Sequence, residues 1–166
     1  MEQKIKEDHL IRVLGRMEDV HSKAHAADSD KMELMTKGSY VSRGGSWFIT
    51  YQETEATGYE GSITTVKIAQ DGSQVSMLRY GKANARLIIE KGVRHLCHYD
   101  NGYGAMTLGV AADEVQIDLG PQGGTARFSY TLDMEPRGLL SRNSVTLEVS
   151  PLSRGTETVQ TKSKLK

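Results

Sequence analysis

Between residues 60 and 119 the chain alternates apolar and polar side chains at period two. The alternation is broken only by glycine-bearing dipeptides: Asp71-Gly72, Gly81-Lys82, Lys91-Gly92 and Asn101-Gly102. Period two puts successive side chains on opposite faces of a strand, and glycine supplies the positive φ of a two-residue hairpin loop. Helical spacing is nearly absent, and none of the three prolines (Pro121, Pro136, Pro151) falls where it could interrupt the strands before residue 120. The pattern predicts strands at 9–18, 31–41, 46–53, 60–70, 74–80, 83–90, 93–100, 103–111, 114–119, 125–133 and 143–150. A meander of short hairpins this long most simply closes on itself, because closure removes the exposed edges. The predicted fold class is all-β: a closed up-and-down antiparallel barrel of about 8–10 strands with little helix.

The hairpins can be followed in sequence to ask which face is inside. Asp71-Gly72 sets Val66 and Ile68 opposite Met77 and Val75; Gly81-Lys82 then sets those two opposite Arg86 and Ile88. Lys91-Gly92 carries the face on to Cys97 and His95, and Asn101-Gly102 to Met106 and Leu108. A slightly longer turn at 111–114 would set Val110 opposite Val115, with Ile117 and Leu119 following; the alternative is that 114–119 continues the preceding strand. The result is one face of mainly Val, Ile, Leu and Met, expected to be the interior. Leu87, Ile89 and Leu96 fall on the outer face. For strand 9–18, Ile11, Val13 and Met17 compete with Leu10 and Leu14 for the inside.

The same phase turns Thr64, Arg79, Arg86, Glu90, His95, Cys97 and Tyr99 inward. A buried charge needs a partner, water or a ligand. Arg79, Arg86 and Tyr99 lie toward the end carrying the Gly81 and Asn101 turns, and Tyr51 and Glu53 reach that end too. Glu90 and His95 lie toward the other end or the middle. This set suits a mouth for a small polar or anionic group. A structural pairing, Glu53 with Arg79 or Glu90 with Arg86, would instead fill the barrel and bind nothing.

With 166 residues the chain suits one domain, and 21 Lys+Arg against 21 Asp+Glu give no net charge. Residues 1–150 hold 17 basic and 20 acidic groups, whereas residues 151–166 hold 4 and 1. A mildly acidic body with a short basic tail argues against nucleic acid as a partner. No apolar run reaches the ~18 residues of a membrane helix. A single cysteine excludes an internal disulfide framework, and with a charged start it fits a cytoplasmic protein. Residues 1–8 and 151–166 are expected to be flexible, with the barrel domain at 9–150.

Other motifs carry little. His21 and His25, flanked by Asp19, Asp28 and Asp30, lack the helix that i,i+4 chelation requires, and His95 and His98 point to opposite faces, so no metal is expected. A Cys97–His95 nucleophile pair lacks an orienting third group. Gly102-Tyr103-Gly104 and residues 120–124 have no following helix to cradle a phosphate. No cofactor is implied.

Several runs resemble the bacterial YwiB-like family of unknown function: Gly38-Ser39-Tyr40, residues 47–55 from Trp47 to Glu55, residues 61–68 from Gly61 to Ile68, and residues 90–95 from Glu90 to His95. Tyr103-Gly104 and Ser141-Arg142-Asn143 extend the similarity, which spans roughly residues 9–150. The resemblance implies a calycin-type, lipocalin-like barrel and no known activity, so it assigns no catalytic residue. Two departures are the lack of a threonine near Asp100 and Asn101, and the tail after Ser150.

The function expected first is non-enzymatic binding of a small ligand at one mouth. Arg79 and Arg86 would hold an anionic or carbonyl group, Tyr51 and Tyr99 would serve as hydroxyl partners, and Val66, Met77, Ile88 and Met106 would form the apolar wall. Second is a filled barrel that meets a protein partner, or a second copy as a homodimer, through Leu87, Ile89 and Leu96. Third is an enzyme using His95 or Glu90.

Overall fold

The computed structural model describes residues 5–20, 30–100 and 104–152. The His21–His25 segment, the Asn101-Gly102 turn, Tyr103, residues 1–4 and residues 153–166 lie outside the described residues. Ten strands follow in order: β1 (His9–Asp19), β2 (Asp30–Arg43), β3 (Ser46–Gln52), β4 (Ser62–Ala69), β5 (Gln74–Gly81), β6 (Asn84–Glu90), β7 (Arg94–Asp100), β8 (Ala105–Gly120), β9 (Gly123–Met134) and β10 (Gly138–Pro151). Each pairs antiparallel with its neighbour in sequence, and β1 pairs with β10 to close the barrel. The predicted all-β, closed, up-and-down barrel is the observed architecture, consistent with a lipocalin-like barrel. Among the described residues the helical content is one 3-10 turn, Glu55–Thr57, and no helix is long and apolar enough to cross a membrane.

The core is the inner face of every strand. Ile11 and Val13 of β1 settle the ambiguity there, packing with Ile49, Val66, Ile68, Val75, Phe128 and Leu147. One end is sealed by aromatic packing: Tyr40 stacks on Trp47 at 5.2 Å and donates its hydroxyl to Gly120 O at 2.7 Å, across the barrel. The termini enter and leave at this end, where Leu152 N–H donates to Asp8 O. The opposite end carries the loop after β3 and the turns after β5 and β9.

The β4–β5 hairpin has the predicted register, with Val66 opposite Met77 and Ile68 opposite Val75. The next does not. Met77 faces Leu87, Val75 faces Ile89 and Arg79 faces Ala85, one residue beyond a two-residue turn. The extra residue is Ala83, buried and held by Ser62 Oγ, which accepts from its N–H and donates to its carbonyl. Asn84 completes the connection, accepting from Gly81 N–H and donating to Gly81 O. This one-residue slip inverts β6. Leu87 and Ile89, expected outside, are core; Arg86 is exposed on the outer face, and Ile88 and Glu90 are only partly covered.

A second slip restores the phase. The Lys91-Gly92 turn closes with Glu90 opposite Val93, but nearer the mouth Ala85 faces Tyr99, so Cys97 and Tyr99 remain inside. In the open stretch of the β6–β7 ladder, Ile88 N–H donates to Cys97 Sγ at 3.4 Å. The predicted turn at 111–114 is not a turn. β8 runs on to Gly120, and a bulge between Ala112 and Glu114 moves the inward set from Leu108 and Val110 to Val115, Ile117 and Leu119. A bulge adds one unpaired residue and bends a strand. In sequence, that residue (Asp113, beside Glu114) looks like the polar tip of a hairpin.

Candidate functional site at the open mouth

Register alone assembles a transverse row near the open end. Tyr51 of β3 faces Thr64 of β4, Thr64 faces Arg79 of β5, Arg79 faces Ala85 of β6, and Ala85 faces Tyr99 of β7. Ala85 is the small member of the row, so space is left beside the guanidinium. Glu53, just past β3, turns in beneath it. Arg79 Nη2 lies 3.4 Å from Glu53 Oε2, with the two side chains 13% and 2% exposed. Arg79 Nε donates to Thr64 Oγ1 at 3.2 Å, and Thr64 Oγ1 in turn donates to Glu53 Oε2. The three form a closed ring of polar contacts. Such a ring meets the requirement that a buried charge be paired and hydrogen-bonded.

Tyrosines surround this ring. The Tyr59 ring lies against the flat face of the guanidinium, 3.7 Å from Arg79 Cζ, and its hydroxyl is 3.0 Å from that of Tyr99. Burial pushes the Tyr51 hydroxyl far up, with the Glu53 charge adding to it. Burial and the hydrogen bond with Tyr59 do the same to Tyr99. Tyr130 is pushed up to about 12, again by burial. At neutral pH these three phenols are uncharged, and the cluster they enclose holds one cation and one carboxylate.

The loop after β3 delivers Tyr59. Thr54 caps the 3-10 turn by accepting from Ala56 N–H at 3.2 Å, and Glu53 N–H and Ser62 O join the two ends of the loop at 2.9 Å. Gly58 (φ 82°) and Gly61 (φ 92°) bracket Tyr59-Glu60 in a conformation that side-chain-bearing residues disfavour. Sequence reasoning missed Tyr59, because a loop has no periodicity to place it. It also missed Tyr130, which is in phase with Phe128 but reaches the mouth only once the barrel is closed.

Beneath the cluster is a cavity of about 260 Å³. Val13, Met32, Met77, Leu87, Leu132 and Val145 supply apolar wall, and Tyr51, Glu53, Thr64, Arg79 and Tyr99 supply the polar patch. Five of the residues singled out from sequence therefore meet at one place. The other three do not. Arg86 is outside, for the reason found at Ala83. Glu90 lies at the sealed end, where its carboxylate accepts from Gln74 Nε2 at 2.8 Å and meets His95 Nε2 at 3.1 Å. Those contacts, Gln74 first, hold the Glu90 carboxyl below its usual range. Of the two structural pairings expected, Glu53–Arg79 is formed, whereas Glu90 is joined to His95 rather than Arg86. Cys97 Sγ reaches the backbone carbonyl of His95, at 3.9 Å. Among the described residues no group of His, Cys, Asp and Glu is arranged to hold a metal ion.

Comparison with known proteins places this barrel. The model of the domain of unknown function DUF1934 matches residues 17–147. The chain belongs to that family. Among solved structures, the crystal structure of the ywiB protein from Bacillus subtilis superposes with a TM-score of 0.63 at 22% identity, covering 86% of this chain and 91% of that one. At that identity the likeness concerns the fold, and it agrees with the family resemblance read from the sequence. No curated protein matches the chain. The matched residues 17–147 span Tyr51, Glu53, Tyr59, Thr64, Arg79, Tyr99 and Tyr130.

Proposed function

We propose that this barrel binds a small, uncharged and largely apolar molecule in the mouth cavity, and that it is not an enzyme. The observation that carries the reading is a cavity of about 260 Å³ whose walls are mainly apolar, with a polar patch around Arg79 and with Arg16, Asn143 and Ser144 also in its lining. This combination is typical of a small-molecule site. A cavity of about 150 Å³ accepts benzene, so this one suits roughly ten non-hydrogen atoms. Charge is the point of revision. The two arginines expected to grip an anion are reduced to Arg79 alone, and Glu53 already neutralises it. What Arg79, Tyr51 and Tyr99 offer a ligand is hydrogen bonding to a neutral polar head, such as a hydroxyl or carbonyl. Calycin-type ligand binding inside a barrel is the relevant analogy, and a cytoplasmic setting suits a sole cysteine that is a buried free thiol.

The test is titration with toluene, followed by thermal unfolding, alongside native mass spectrometry of freshly purified protein. A site filled at 100 times its Kd stabilises by about 2.7 kcal/mol. The expected result is a saturable rise in Tm or a retained small molecule. Neither appearing refutes the reading.

A second reading rests on Leu96, 69% exposed on β7 and the most open of the large apolar side chains described. An exposed apolar position of this kind suits a protein partner or a homodimer. With Leu87 and Ile89 inside, the outer patch is smaller than the sequence suggested. Solution mass decides it: a strict monomer, unchanged by Leu96→Ser, removes the support.

A further inference from the structure

We infer that the Tyr59 phenol is an internal stand-in for the ligand, and that the cavity's preferred class is a neutral hydroxylated aromatic, which displaces Tyr59 from Arg79. The inference rests on the cavity-binding reading and goes beyond it in naming the ligand chemistry and the group that competes with it.

Three features support this inference. First, Nε and Nη2 of the guanidinium are turned to Thr64 and Glu53, which fixes its plane and presents its flat face to a ring. A guanidinium face attracts an aromatic π-cloud and needs no counter-charge to do so. Second, that face is occupied by a phenol whose hydroxyl meets the Tyr99 hydroxyl at 3.0 Å. The pair Arg79–Tyr99 thus reads both parts of a phenol, ring and oxygen, at a fixed separation. Third, Tyr59 comes from a connection between β3 and β4 and not from the barrel wall. Its backbone is tied in place, with Ser62 N–H donating to Tyr59 O at 3.1 Å and Tyr59 N–H to Thr57 Oγ1 at 3.4 Å, so the ring leaves Arg79 by turning its side chain while the loop stays joined. The Arg79 and Tyr99 groups both line the cavity, as does Tyr59 itself, so a ligand ring entering there meets the same two partners.

A competitor tethered within the chain lowers apparent affinity by the fraction of time it occupies the site. Removing it must therefore tighten binding of any ligand that uses the same contacts, and leave other ligands nearly untouched. The experiment measures dissociation constants of p-cresol, toluene and cyclohexanol by ligand-observed NMR on the full chain, for wild type, Tyr59→Ala and Tyr59→Phe. Expected is at least a tenfold gain for p-cresol in Tyr59→Ala and a smaller gain in Tyr59→Phe, which loses only the hydroxyl contact. Toluene should gain less than p-cresol, and cyclohexanol should change by less than about twofold. If toluene binds but p-cresol affinity is the same in all three proteins, the stand-in idea is overturned while the cavity reading survives. If no probe binds any of them, the cavity reading itself fails. Should Tyr59→Ala not fold, Tyr59→Phe alone decides, since an unchanged p-cresol affinity there overturns the hydroxyl match.

Discussion

Replacing Arg79 by methionine removes the cation paired with Glu53 and keeps most of the side-chain volume. At 3.4 Å and an effective dielectric of about 20, the lost attraction is about 5 kcal/mol. Part of that offsets the dehydration of the arginine, which the variant no longer suffers. What remains is a carboxylate that is 2% exposed, with Thr64 as its described donor. Breaking one side of a buried pair costs about 3–5 kcal/mol, and the 13% exposure of Arg79 argues for the lower end, about 3 kcal/mol. Glu53→Gln should cost less, about 1–2 kcal/mol, because glutamine still accepts from Thr64 and the arginine lies closer to solvent. The double variant has no stranded charge, so its loss should fall about 2 kcal/mol short of the sum. Urea unfolding at pH 7 with a constant m-value measures all three. Additivity within about 0.5 kcal/mol would refute the reasoning, and the Arg79–Glu53–Thr64 ring would then be incidental to the stability of the mouth.

Gly109 of β8 lies under the Arg94–Asp133 pair, which joins β7 to β9 with Nε to Oδ2 at 2.9 Å; an added Cβ would collide with both side chains. These are the ends of flexible side chains that can move aside, so Gly109→Ala should lose no more in urea unfolding than Asp133→Asn, and the double variant no more than either alone. Tyr40→Phe removes the hydroxyl bonded to Gly120 O and should cost about 1–2 kcal/mol, read as a lower urea midpoint with the toluene response at the far end unchanged. Tyr40 and Tyr130 are both raised to about 12, so the unfolded chain ionises them first and stability should be full below about pH 10 and fall as pH rises toward 12. Tyrosinate absorbance at 295 nm and Tm measured together check this; a flat Tm between pH 10 and 11.5 contradicts it.

Much of the barrel was legible because hairpin arithmetic is strict where turns are short. The β4–β5 register follows from Asp71-Gly72, and the same counting puts Arg79 and Tyr99 at one end and Thr64 on the inner face. The errors have identifiable physical origins. Asn84 bonds back to Gly81 on both sides, drawing Ala83 into the connection, and a single added residue inverted β6. Arg86 was thereby lost from the mouth, and Leu87 and Ile89 gained by the core. The phase of β7 was nonetheless right, since the irregular β6–β7 ladder shifts back by one. Asp113 read as a loop tip because a bulge and a hairpin share the same polar signature. Tyr59 had only the glycines at 58 and 61 to announce it, and flanking glycines reveal a bend without showing what the bend reaches.

The pairing of β1 with β10 has a consequence for how the chain reaches this state. Every other pairing joins strands that follow one another in sequence, whereas His9 meets Pro151 across nearly the whole sequence. Contacts of such separation carry the largest loop-closure cost and come late in folding. On a growing chain, β1 can pair with β2 alone until β10 is made, and its outer edge stays open for that whole interval. Arg12 lies in the middle of that edge, and the two acids it bridges, Glu33 of β2 and Glu148 of β10, come from the strands on either side. A charge there discourages pairing with another molecule, and the same arginine then joins the closing strand once it arrives.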